Sequence, residues 1–69
     1  MLTARDLVRV LRRIGFIEIR TSVSHVFFKH QDGRATTVPF HSGKDIGRGL
    51  LIRILRDIEL TVTDLLKLI

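Results

Sequence analysis

The chain has no cysteine, no tryptophan, no tyrosine and a single proline. Without cysteine it can form neither a disulfide nor a thiolate metal site. Without Trp or Tyr, the core must be filled by Leu, Ile, Val and the four phenylalanines. No apolar run approaches the ~20 residues that span a bilayer. The first residues mix arginines with acidic Asp6 where an export signal needs an apolar stretch. A cytoplasmic protein without membrane contact is the expectation. Acidic residues are scarce too: 7 Asp/Glu stand against 12 Lys/Arg, for a net charge of +5. The shortage is local. Residues 1–56 carry 11 Lys/Arg against 4 Asp/Glu, whereas residues 57–69 carry 1 against 3. The body of the domain is therefore basic, which favours a polyanion, nucleic acid first, as partner.

What is present is aliphatic: hydrophobic residues make up 45% of the 69 positions. A chain this short buries only ~60% of its unfolded surface. Dense aliphatic packing or a partner chain has to supply the stability that cross-links cannot.

The pattern of those residues predicts helix, three antiparallel strands, helix and short helix. Thr3 and Asp6 form a capping box, with Leu2 and Leu7 as its hydrophobic staple. Leu7, Val10, Leu11 and Ile14 follow as a helical stripe, and Gly15 closes the helix in a left-handed conformation. Phe16 to Thr21 reads as a strand in which Ile17, Ile19 and Thr21 alternate with Glu18 and Arg20. Ser24 to His30 and Arg34 to Val38 read as two further strands around an Asp32-Gly33 hairpin turn. A two-residue turn there pairs Lys29 with Thr36, Phe27 with Val38 and His25 with Phe40, and it puts Phe28–Thr37 and Val26–Pro39 on the other face. Val26 and Phe28 are expected inward, and His25, Phe27 and Lys29 outward, because Lys is almost never fully buried unpaired. Pro39 is expected to end the ladder. Leu51, Ile54, Leu55 and Ile58 stripe a second helix starting between Asp45 and Leu50. Thr61 caps a third helix in a repeat of the Leu2-to-Leu7 pattern. Leu65, Leu66, Leu68 and Ile69 are too apolar to float free, so the tail is expected to dock on the domain or on another chain, including a second copy of itself.

The chemistry-bearing residues cluster around the hairpin. His25 is the first candidate, since imidazole accepts and donates protons near neutral pH. RNA supplies its own nucleophile in the 2′-hydroxyl, so one base and one cation suffice for cleavage without a metal or other cofactor. An ordinary strand histidine at a sheet end is the alternative reading. His30, beside the turn, reads first as a solvated hairpin residue. His41 precedes Ser42-Gly43-Lys44. It reads equally as a phosphate or acid/base group and as a helix cap. Gly43 to Gly49 does not close as a P-loop. It can still seat phosphate on Lys44, Arg48 and the amides of a helix N-terminus, or serve as a linker. Histidines at 25, 30 and 41 fit no metal-ligand spacing.

Gly15-Phe16, Ser24-His25, Phe28-Lys29-His30, Asp32-Gly33-Arg34, Thr37-Val38-Pro39, His41-Ser42-Gly43-Lys44, Gly47-Arg48-Gly49 and Ile54-Leu55-Arg56-Asp57 together resemble the HicA mRNA interferase toxins, in order and over nearly the whole chain. The resemblance implies an α+β fold like a double-stranded-RNA-binding domain. In it a three-stranded antiparallel sheet has helices packed on one face (α-β-β-β-α plus a short C-terminal helix), as one domain over residues 1–69. It implies an endoribonuclease that cleaves mRNA and blocks translation, and a HicB-like antitoxin that covers the active site. The family's catalytic histidine maps onto His25. The family usually has Gly-Ser-His where this chain has Val23-Ser24-His25, and valine forbids backbone angles that glycine permits. The expectation is a toxin ribonuclease in which His25 moves protons, while Ser24, Lys29, His41, Lys44 and Arg48 contact RNA. A non-catalytic RNA-binding module and an oligomer-building interaction domain are the rival readings.

Overall fold

Thr3 starts the first helix as its capping box predicts. Its hydroxyl accepts the Asp6 N–H at 3.2 Å, and the Asp6 carboxylate accepts the Thr3 N–H at 3.0 Å. In the computed structural model, which describes residues 2–40 and 45–69, this helix is α1 (Ala4–Arg13). Three strands follow, β1 (Ile17–Thr21), β2 (His25–Lys29) and β3 (Ala35–Pro39), then α2 (Arg48–Asp57) and α3 (Val62–Leu68). The sheet is antiparallel in the order β1-β2-β3. The expected α+β architecture is therefore present.

Both longer helices end in the same way. Gly15 (φ 101°) follows α1; its N–H reaches the Arg12 carbonyl, and the Phe16 N–H reaches that of Leu11. After α2, Glu59 adopts φ 58° with the equivalent pair of bonds to Arg56 and Leu55. These are Schellman closures, which satisfy carbonyls that a helix end leaves orphaned. Thr61 and Asp64 cap α3 with a second reciprocal box.

The core lies between the helices and one face of the sheet. Leu7, Val10 and Leu11 of α1 meet Val26 and Phe28 of β2, Val38 of β3, and Ile54 and Leu55 of α2, with Ile58 and Leu65 closing the lower end. Phe28 is fully buried, worth about 2–3 kcal/mol relative to exposure. The inward placement of Val26 and Phe28 agrees with the sequence reading.

The register differs from that reading. β2 and β3 pair as His25↔Pro39, Val26↔Val38, Phe27↔Thr37, Phe28↔Thr36 and Lys29↔Ala35. The turn holds three residues, not two. The His30 N–H bonds to the Arg34 carbonyl at 2.8 Å, and Gln31, Asp32 and Gly33 make the loop, with Gly33 at φ 101°. Three-residue hairpin loops place a glycine at their positive-φ position, so Gly33 serves either turn length. The shift of one residue moves Val38 and Thr36 to the core side. There the buried Thr36 hydroxyl donates to Asp57 at 2.9 Å. The ladder also runs past Pro39, since the Phe40 N–H donates to the Ser24 carbonyl at 2.7 Å.

β1 departs from simple alternation. A bulge between Glu18 and Arg20 shifts its pairing, so that Glu18 faces Phe28 and Arg20 faces Phe27. Charges two positions apart thereby point to opposite sides of the sheet. Ile17 and Ile19 are 62% and 56% exposed instead of packed.

Candidate active site at the start of the second strand

His25 opens β2 at the foot of the β1–β2 turn. Two backbone bonds hold it. The Ser22 N–H donates to the His25 carbonyl at 2.9 Å, and the Phe40 N–H reaches the neighbouring Ser24 carbonyl from β3. The Ser24 hydroxyl lies 3.2 Å from His25 Nδ1. With that hydroxyl donating, the neutral ring carries its proton on Nε2, which has no hydrogen-bond partner among the described residues. The ring is exposed, on the side of the sheet that the helices leave uncovered. An imidazole held from behind and open in front can exchange a proton with a bound polymer.

Val23 sits at the tip of this turn, fully exposed. Among the described residues Glu59 is the only non-glycine with positive φ, so the backbone at 23 is one that any residue adopts. Valine at 23 therefore meets no left-handed backbone.

The other expected contacts are spread out. Lys29 shares the open face with His25 but lies four residues along the strand, about 13 Å away at strand rise. Between them Phe27 is half-buried and carries the Arg20 guanidinium 5.6 Å above its ring. Arg20 escaped the sequence reading because regular alternation put it beside Glu18, and no pattern marks the bulge that separates them. Arg48 is the first residue of α2, after an N-cap Gly47 that offers no side-chain hydrogen bond. The chain just before it lies against the start of α1, where the Ile46 N–H bonds to the Leu2 carbonyl at 2.7 Å. His41 and Lys44 lie outside the described residues. Among the described residues, then, Ser24 and His25 are together, Lys29 is at the far end of their face, and Arg48 belongs to the helix layer.

His30 is not the solvated hairpin residue expected. Its Nε2–H donates to the Ile14 carbonyl at 3.1 Å, its Nδ1 accepts the Asp32 N–H at 3.0 Å, and its ring meets Phe16 edge-on at 5.0 Å. It packs so closely on Gly15 that a Cβ there would lie 2.9 Å from Nε2. Arg34 completes the fastening. It bonds to Asp32 at 2.8 Å, donates to the Ile58 carbonyl at 2.6 Å, and stacks on Phe16 at 5.2 Å. The Arg34 backbone N–H, and then its side chain, hold the Asp32 carboxyl below the usual carboxylate range. The hairpin tip thus ties the C-termini of α1 and α2 together.

No described helix is long and apolar enough to cross a membrane. The sequence profile of the family described as "HicA toxin of bacterial toxin-antitoxin" matches residues 4–60 of the chain. A search of curated proteins returns no match.

Proposed function

This chain belongs to the HicA toxin family of bacterial toxin–antitoxin systems, and from that premise we propose that its toxin role is exerted by cleaving mRNA at His25. The observation that carries the proposal is the Ser24–His25 pair. The ring is braced through Nδ1 by a hydroxyl at 3.2 Å and exposed on an uncovered sheet face. In this reading RNA lies across that face. His25 takes the proton of a ribose 2′-hydroxyl as it attacks the adjacent phosphorus, and a proton returns to the departing 5′-oxygen. The nucleophile is internal to the substrate, so the reaction needs no metal or cofactor. Arg20 and Phe27 offer a stacking platform, and Lys29 binds phosphate further along. His41, Lys44 and Arg48 extend phosphate binding into the connection before α2. The partner is a HicB-like antitoxin seated over the same open face. The exposed Val62, Leu66 and Ile69 of the C-terminal segment leave a second copy of the chain as a further partner.

The test is His25→Ala. The variant should fold, retain RNA binding and lose cleavage by about 10²–10⁴-fold, the range for removing a general acid or base, together with toxicity. Full toxicity in this variant rejects the assignment. One observation favours a second reading, a non-catalytic RNA-binding module: among the described residues no second titratable side chain contacts Ser24 or His25. Labelled RNA incubated with purified protein in chelator separates the two, since a mobility shift without cleavage means a binder.

A further inference from the structure

α1 carries a cationic feature that the His25 site does not use. Arg5, Arg9 and Arg12 follow one another at i, i+4 and i+7, which a 3.6-residue helix places on one face. They stand about 6 Å and then about 4.5 Å apart along the axis. With Val8 and Phe40 they line an open cleft of about 310 Å³. Its floor is apolar and its rim is guanidinium.

The fold engages these charges unequally. The Arg9 side chain is 74% exposed and lies 3.9 Å from Asp6, whose carboxylate already caps Thr3. Arg12 is paired with Glu18 at 3.0 Å. Arg5 forms no ion pair among the described residues. Among the described residues no carboxylate lines the cleft itself, and Glu18 lies in the adjoining hollow beyond Arg12. Phe40 connects it to the His25 end of the sheet, because this residue both lines the cleft and bonds through its N–H to the Ser24 carbonyl.

We propose that this cleft is a second RNA-contact site, in which Arg5 and Arg9 hold phosphates of nucleotides flanking the one cleaved at His25, and Val8 and Phe40 receive a base. The proposal rests on the ribonuclease reading of His25. Arginine's planar fork suits phosphate oxygens, and an aromatic floor suits the π-face of any base. An acidic protein segment needs the rim and not the floor, so RNA accounts for more of the cleft.

The experiment compares Arg5→Gln/Arg9→Gln with the unsubstituted chain on an RNA of about 20 nucleotides and on a dinucleoside monophosphate, whose single phosphate is the scissile one. Two lost phosphate contacts at about 0.7 per phosphate for single strands predict that the kcat/KM advantage of the long RNA shrinks by about 25-fold near 0.1 M salt. In a His25→Ala background, the slope of log affinity against log salt for the long RNA should fall by about 1.4. Equal effects on both substrates, or none, overturn the proposal. So does an unaltered RNA slope with weakened binding of polyglutamate, which marks a site for acidic protein. Failure of the ribonuclease reading is distinguishable, because the unsubstituted chain then cleaves neither RNA while the slope measurement still reports on the cleft.

Discussion

Replacing Gly15 with alanine should be among the most damaging single-methyl changes in this protein. The residue sits at φ 101°, and an added Cβ would lie 2.9 Å from His30 Nε2 and 3.3 Å from its Cδ2. Two costs add. An L-residue forced into left-handed backbone loses about 1–2 kcal/mol. The imidazole must also move off the Ile14 carbonyl, forfeiting a hydrogen bond worth about 1 kcal/mol. The sum, about 2–3 kcal/mol, corresponds to a fall in Tm of about 10–20 °C for a domain of this size. Gly33 is the internal control. It has the same φ of 101°, but nothing lies within 4 Å of its would-be Cβ. Gly33→Ala should therefore show the backbone cost alone, a fall of about 5–15 °C. Thermal unfolding of Gly15→Ala, Gly33→Ala, His30→Ala and the Gly15→Ala/His30→Ala double variant apportions the terms, because removing the ring should make the alanine at 15 cheaper. The reasoning fails if Gly15→Ala and Gly33→Ala have the same Tm, or if the double variant shows strict additivity.

Three further outcomes follow from the geometry. Thr36→Val keeps the shape of a buried side chain but strips Asp57 of a hydroxyl donor; chemical denaturation should show a loss of about 1 kcal/mol, and a gain in stability would remove the bond from the account. Asp6, Glu18, Asp32 and Asp64 are all held below their ordinary values, Asp6 and Asp64 chiefly by the backbone and then the hydroxyl of their capping threonines, Glu18 by the Thr21 hydroxyl and then Arg12, and Asp32 by the Arg34 backbone. The unfolded chain binds more protons than the folded one below about pH 4–5. Stability should therefore be fully present above that range and decline as acid carries the pH down through the folded values. A Tm that stays level to pH 3 contradicts this linkage. Val23→Gly should change RNA cleavage by less than about tenfold, a barrier difference of about 1.4 kcal/mol, since the valine backbone is ordinary and its side chain stands clear; a hundredfold gain would show that the valine obstructs the substrate.

The ends of the helices were legible in the residues because their signals are local. Thr3 with Asp6, Thr61 with Asp64, and Gly15 each act within one turn of chain. The inward side of β2 was legible too, because Lys29 cannot share a face with the core. What escaped was decided at longer range. Asp32-Gly33 is compatible with loops of two or three residues, and only the closure of the tip on Ile14 and Ile58 selects three. The bulge in β1 has no signature in Ile17 to Thr21; it sends Glu18 toward Arg12 and Arg20 toward Phe27. His30 looks like any polar residue beside a turn until the end of α1 is laid against it. Several residues that carry the family resemblance, among them Gly15, Phe16, Asp32, Gly33, Arg34 and Asp57, prove to be fasteners. Of the candidate site, the Ser24–His25 pair was readable from order alone, whereas the Arg20–Phe27 platform depends on the bulge.

The two ends of β2 hold different kinds of residue, with the helix-tying knot at one end and the exposed imidazole at the other. Cells surviving expression of this toxin would accordingly carry escape mutations of two sorts. Changes in Gly15, His30 or Arg34 would leave little intact protein to recover. On the proposed reading of the site and its antitoxin, changes in Ser24 or His25 would yield a well-folded, harmless chain that the antitoxin still grasps, a decoy that sequesters it.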